Sequence, residues 1–299
     1  MRTRLLIGCL VATGLAGCGD AAGIASMLDF QPQARSGGEF ILSLGGEDTG
    51  TCALSDVARF EVRVSGPDLR EPMAYDLGTD DLVGDCELRL LVPEGLDRAV
   101  EVEGYAADDT LVRKGWGVVT SVTAGEVVSA DLALWPALRH LDTVGDSGAG
   151  PDLTAFDAVR MTDRWLLVLR FAADVRPAND GGAASVAGFL AVADDASART
   201  WRVALDATRS DGLDWVDIDS PIVDPDQRLA FSFAANEMRI VLPYSRLGAG
   251  TSGTTPAASF AVVLQDNAGE SGAATDALPD AALTEDGTVN FDADLLPLR

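Results

Sequence analysis

Phe60-Glu61-Val62-Arg63-Val64 alternates apolar and charged side chains without a break. A strand sends successive side chains to opposite faces, so Phe60, Val62 and Val64 share one face and Glu61 and Arg63 the other. The same period of two recurs at Leu88-Arg89-Leu90 and at Val100-Glu101-Val102-Glu103, and residues 127–134 read as a closing strand. Turn residues stand between these runs: Gly66-Pro67, Pro93-Glu94-Gly95, Asp108-Asp109 and Ala124-Gly125-Glu126. No stretch between Glu39 and Trp135 holds a helical period over three turns. Short alternating runs with turns roughly every 8–12 residues predict an antiparallel β-sandwich over residues 39–136.

A second set of strand candidates follows at 155–161, 164–171, 186–193, 200–206, 228–233, 237–242 and 259–265. Trp165, Leu167, Leu169 and Phe171 fall on one face, as do Met238, Ile240 and Leu242 on another strand. The connections are rich in Asp, Gly, Ser and Ala. The predicted fold class is all-β, with two antiparallel sandwich domains in series, residues 39–136 and 140–299. His140 stands at the start of the second.

The N-terminus has a different grammar. Arg2 and Arg4 precede a mostly apolar run over residues 5–15, which ends in Leu15-Ala16-Gly17-Cys18. A basic start, an apolar core of about 7–15 residues and small residues at the cut are what an export signal requires. The run is too short for a membrane-spanning helix, which takes about 20 apolar residues. The Leu-Ala-Gly-Cys segment resembles the lipobox of bacterial lipoproteins. An ordinary signal peptide with a chance cysteine is the competing reading. The resemblance implies cleavage after a signal peptide of residues 1–17, a diacylglyceryl group on the Cys18 thiol and further acylation (the palmitate class) of its amine. Two or more chains anchor stably where one holds marginally. It also implies the bacterial cell envelope, and the outer membrane in particular, because Gly19 rather than an aspartate follows the cysteine. Residues 18–38, with Gly19, Gly23, Pro32, Gly37 and Gly38, then read as a flexible lipidated tether.

In an exported, oxidising compartment the cysteines sort themselves. Cys9 leaves with the signal and Cys18 takes the lipid, so Cys52 and Cys86 are predicted to form a disulfide. That bond stabilises by about 3–4 kcal/mol in the chain-entropy account. Two buried free thiols are the alternative. The 299-residue chain carries 22 Lys and Arg against 47 Asp and Glu, a formal charge of −25. Phosphate backbones need clustered cations, and none is present, so nucleic acid is excluded as a partner. Adsorption to anionic lipid through a basic patch is excluded for the same reason, which leaves membrane attachment to the N-terminal lipid.

The first domain resembles the immunoglobulin-like domains of bacterial surface lipoproteins, on Val92-Pro93-Glu94-Gly95, Val100-Glu101-Val102, the run from Gly104 to Leu111 and Gly115-Trp116-Gly117-Val118-Val119. The second resembles β-sandwiches of the DOMON and family-9 carbohydrate-binding type. The residues are Asp142-Thr143-Val144-Gly145-Asp146, Pro151-Asp152-Leu153, the Trp165 strand and Leu242-Pro243-Tyr244-Ser245-Arg246-Leu247-Gly248. Haem-binding members use His or Met ligands. Only Met161, Met238 and the peripheral His140 are available, so haem is disfavoured. Carbohydrate-binding members clamp sugars between tryptophans, which makes Trp201 and Trp215 candidate ligand residues. Trp215 is expected to be exposed in its acidic loop, and Trp165 to be core.

Catalytic constellations are missing. A Ser-His-Asp or Cys-His site needs a histidine beside a nucleophile, and the one histidine, His140, is expected in a linker. There is no phosphate-binding loop, dinucleotide fingerprint or HExxH motif. No cofactor is required by anything in the sequence. Calcium, which takes six to eight oxygens from flexible acidic loops, is the open chemical possibility at Asp214, Asp217 and Asp219, with Asp142, Asp146 and Asp152 as a second cluster. Solvated acidic loops are the competing reading. The expected function is a non-catalytic binding or adhesion module of the cell envelope, with a glycan or an envelope protein as partner. A structural or accessory subunit without a small ligand is the alternative, and a carboxylate-dependent hydrolase a remote third.

Overall fold

The computed structural model describes residues 37–45, 52, 54–84, 86–145, 147, 150–177, 184–194, 199–205, 212–217, 228–247, 258–265, 274–279 and 296–298. Cys18, Asp146 and Asp219 lie outside them. Among the described residues the structure is all-β, interrupted by single 3-10 turns such as Thr79–Asp81 and Tyr244–Arg246. No helix among them is long and apolar enough to cross a membrane.

The first sandwich comprises β1 (Gly37–Gly45), β2 (Arg59–Ser65), β3 (Met73–Gly78), β4 (Glu87–Pro93), β5 (Gly95–Tyr105), β6 (Leu111–Val122) and β7 (Val127–Ala133). One sheet runs β4-β1-β7 and the other β3-β2-β5-β6. The alternation that predicted β2 is what fills the space between them. Phe60, Val62 and Val64 meet Phe40 and Leu42 of β1, Leu88 and Leu90 of β4, and Val100 and Val102 of β5 in one buried core. The pairing is antiparallel except that β1 runs parallel to β7, from Glu39 opposite Val127 to Gly45 opposite Ala133. Cys52 and Cys86 are bonded, with Cα atoms 5.7 Å apart, at the start of β4.

The second sandwich comprises β9 (Leu153–Arg160), β10 (Arg164–Phe171), β11 (Arg176–Pro177), β12 (Ser185–Val186), β13 (Gly188–Asp194), β14 (Arg199–Ala204), β15 (Trp215–Asp217), β16 (Phe231–Ala234), β17 (Glu237–Pro243), β18 (Ala258–Gln265), β19 (Ala274–Leu278) and β20 (Leu296–Leu298). The β16-β17-β10-β9 layer faces the β15-β14-β13-β18-β19 layer, with β20 beside β18. The core between them holds Trp165, Leu167, Leu169, Met238, Ile240 and Leu242. Phe156 and Phe260 stack across it at 3.7 Å. The far face of the second layer is buried too, at Phe189, Ala191, Ala261 and Val263. That is why β13 and β18 read as continuous apolar runs rather than alternating ones.

The two units are not joined by a linker. Residues 137–139, between the predicted domain limits, belong to a strand, β8 (Trp135–Leu141). Its first residues pair with β6, Trp135 opposite Lys114, and its later ones with β9, Leu138 opposite Ala158 and His140 opposite Phe156. One nine-stranded sheet, β16-β17-β10-β9-β8-β6-β5-β2-β3, therefore runs through both sandwiches. His140 is a half-buried strand residue whose ring meets Phe260 edge-on at 5.3 Å, not a linker histidine. The period-two signal fails in β8 because nearly every residue there is half-covered.

Gly188 tests how tightly the second core closes. It has φ +131°, and a Cβ there would sit 2.0 Å from the Val263 carbonyl oxygen. Gly188→Ala is expected to cost more than about 2 kcal/mol in urea unfolding, from strain plus a backbone clash. Gly125→Ala, at a left-handed turn with open space around it, is expected to lose about 1 kcal/mol.

Candidate functional site

The polar faces of the alternating strands do not all meet water. Glu61 and Arg63 on β2, Glu101 and Glu103 on β5, Lys114 on β6, Arg139 on β8, Asp157 on β9, Arg170 on β10, and Glu237 and Arg239 on β17 occupy one face of the nine-stranded sheet. Their sequence neighbours, including Val62, Val100, Val102, Ala158, Leu169 and Met238, point the other way into the two cores. In a flat sheet Arg170 and Glu101, four strands apart, would be separated by about 19 Å. Their side chains touch at 3.0 Å. The sheet is therefore bent sharply about β8, and its two halves close over the charges.

Lys114 is the hub, with a side chain wholly buried. Its ammonium donates to Glu101 at 2.7 Å, Glu103 at 2.6 Å and Asp157 at 2.8 Å, which uses all three of its N–H bonds. Arg139 grips Asp157 through Nε at 2.6 Å and reaches Glu103 at 2.7 Å. Arg170 reaches Asp157 at 2.9 Å, Glu103 at 2.7 Å and Glu237 at 2.9 Å. Arg239 binds the other oxygen of Glu237 at 2.6 Å, and Arg63 binds Glu61 at 2.6 Å. The Tyr105 hydroxyl donates to Glu103. Trp116 lies beside the cluster, its ring centroid 5.3 Å from the Lys114 ammonium and 5.6 Å from the Arg239 guanidinium. Five cations thus balance five anions.

The electrostatics keep the centre of the cluster charged. Burial opposes ionisation of Asp157, but Lys114, Arg139 and Arg170 outweigh it and hold the carboxyl well below its usual range. Glu103 is held down against burial by Lys114, Arg170 and Arg139 in the same way. Lys114 is raised, despite burial, by Asp157, Glu101 and Glu103. Burial and the neighbouring Glu103 push the Tyr105 phenol up to about 12. A general acid or base needs a pKa near the working pH, and a lysine nucleophile must be neutral. Carboxylates saturated by cations and a lysine saturated by carboxylates meet neither requirement. The chemical capacity of the cluster is to hold the two halves of the sheet together.

The structure rearranges the other candidates. Trp215 is 2% exposed and belongs to the second core, which corrects the expectation of an exposed ring. The cause is local: β15 pairs with β14, Trp215 opposite Val203, and that register turns the indole inward. Trp201, partly buried, stacks on it at 5.0 Å. The pair packs the core edge and offers no two faces for a sugar between them. Asp214 accepts from Arg228 Nε at 2.9 Å, so a cation there would meet a guanidinium. Asp217 pairs through its backbone with Trp201. Among the described residues no group of three His, Cys, Asp or Glu is placed to hold a metal. Asp152 accepts from the Gly145 amide at 2.9 Å and Asp142 from that of Thr143, so backbone amides engage both carboxylates. A cavity of about 300 Å³ opens beside Asp152, with Pro151, Phe171 and Val175 among its walls.

Fold and seam together define an all-β protein of two sandwiches fused through one sheet. No family model and no curated protein matches the chain. Among solved structures it is similar to a leucine-rich repeat protein from Bacteroides thetaiotaomicron, at 8% identity and a TM-score of 0.28, over 81% of this chain and 24% of that one. It is similar to a fimbrial assembly protein from Parabacteroides distasonis at 11% identity and 0.25, over 81% and 84% of the two chains. With a shaft pilin from Lactobacillus rhamnosus the values are 10% and 0.20, over 81% and 92%. The chain thus spans about a quarter of the length of the first of these. TM-scores of this size do not define a common fold, and the architecture stands on the strand pairings themselves.

Asp157→Asn leaves Lys114, Arg139 and Arg170 buried with a carboxylate missing, and is expected to cost about 3–5 kcal/mol in denaturant unfolding. The stability that ionised Asp157 and Glu103 contribute is complete above their ordinary pKa values of 3.8 and 4.5 and is lost as pH falls towards the depressed folded values. The contribution of Tyr105, whose pKa is raised, is complete below 10 and lost as pH climbs towards about 12. A melting-temperature profile is therefore expected to fall at both ends, with the acid limb shallower in Asp157→Asn.

Proposed function

We propose that the protein is a non-catalytic lipoprotein of the bacterial cell envelope, lipidated on Cys18 and acting as an accessory module for another envelope protein. The observation that carries this reading is Leu15-Ala16-Gly17-Cys18 at the end of an apolar run behind Arg2 and Arg4. The outer membrane is the favoured site, since Gly19 follows the cysteine. A non-catalytic role is supported by the seam, whose carboxylates and lysine are held in their charged forms by one another. A hydrolase needs one carboxyl with a raised pKa beside an ionised one, and the seam supplies the opposite. Burial of Trp215 favours a protein partner over a sugar.

The test is fractionation of a bacterial host fed labelled palmitate. The wild-type chain is expected to carry label and to enter the detergent phase, and Cys18→Ser to lose both. Equal detergent partitioning of the two chains without label would overturn the lipoprotein reading.

A further inference from the structure

We propose that the buried charge cluster locks the two sandwiches into a single body that folds and opens as one unit, so that the chain works as a stiff arm of fixed shape rather than as two modules on a hinge. This does not depend on the lipid anchor.

Three observations carry it. First, the segment where a hinge would lie is a paired strand. Trp135 and Pro136 pair with β6 and residues 137–141 with β9, so rotation between the units must break backbone pairing on one side or the other. Second, the cluster draws its members from both sides of that strand. Glu101, Glu103 and Lys114 come from the first unit, and Asp157, Arg170 and Glu237 from the second. Opening the sheet about β8 would pull Arg170 from Glu101 and Glu103, and Lys114 from Asp157. Each side would keep some pairs, such as Lys114 with Glu101 and Glu103 or Arg170 with Asp157 and Glu237, but Glu101 and Glu103 would lose Arg170 and Asp157 would lose Lys114. Splitting the network costs these buried cross-seam pairs together with the backbone pairing of β8, so partly opened states are disfavoured relative to the closed one. Third, the group at the centre is inaccessible. Lys114 and Asp157 are wholly buried, and salt screens such pairs much less than exposed ones.

Native-state hydrogen exchange and calorimetry on the full chain test this directly. One heat transition is expected, with equal calorimetric and van't Hoff enthalpies. The slowest amides of β2 and β10 are expected to share one opening constant within about threefold, and those of Ala137, Leu138 and Arg139 to be protected to a similar degree. Two transitions, or rapid exchange at residues 137–139, would overturn the proposal. Arg170→Met removes one cation that spans the seam. It is expected to split the transition or to separate the opening constants of the two units by at least about tenfold. A variant that keeps a single transition at the wild-type temperature would show that the cluster is not the lock. Should Arg170→Met fail to fold, the wild-type exchange at residues 137–139 still decides the question.

Discussion

Lys114 and Asp157 meet at 2.8 Å with both side chains wholly buried, and the arrangement of the molecule follows from that contact. An ammonium and a carboxylate out of water are tolerable only when each is surrounded by opposite charge and good hydrogen bonds. Those partners arrive from both units, on β5, β8 and β10. The requirement for them dictates that the nine-stranded sheet bend at β8 until its polar faces meet. The apolar cores explain why each sandwich exists. The charge pair explains why the two stand in one fixed relation.

Such a seam yields specificity more readily than net stability. Well-packed hydrophobic residues of the same shape would often hold two surfaces together as firmly. They would tolerate sliding, however, whereas forked guanidiniums on two carboxylates accept one register. The very acidic surface adds to the logic. A chain with a formal charge of −25 repels itself over long range, and a neutral seam with a buried centre lets its two halves approach closely.

The strands of both cores were legible in the sequence because their signal is local. Phe60, Val62 and Val64, or Met238, Ile240 and Leu242, announce their face by alternation alone. The layer of β13 and β18 was legible as strand but not as a doubly covered sheet, since a run such as Phe260-Ala261-Val262-Val263-Leu264 shows burial without showing what covers it. The seam was hidden for a different reason. Glu101, Glu103 and Arg170 sit where an ordinary solvent-facing charge would sit, and alternation cannot separate a wet polar face from one closed over by another part of the same sheet. The one available hint was Lys114, the sole lysine of the chain, in the interior of a strand. Trp215 misled through the reverse problem, a core residue on a three-residue strand amid aspartates.

The parallel pairing of β1 with β7 has a mechanical meaning. The chain enters the first sandwich at the Gly37 end of β1 and leaves β7 towards the second sandwich at the opposite end of the same ladder. Tension between the chain ahead of β1 and the second sandwich would draw the two strands along their length in opposite directions. Every backbone hydrogen bond from Glu39 to Gly45 would then bear the pull at once instead of opening one after another. The first sandwich is wired to resist being peeled when tugged from its N-terminal end.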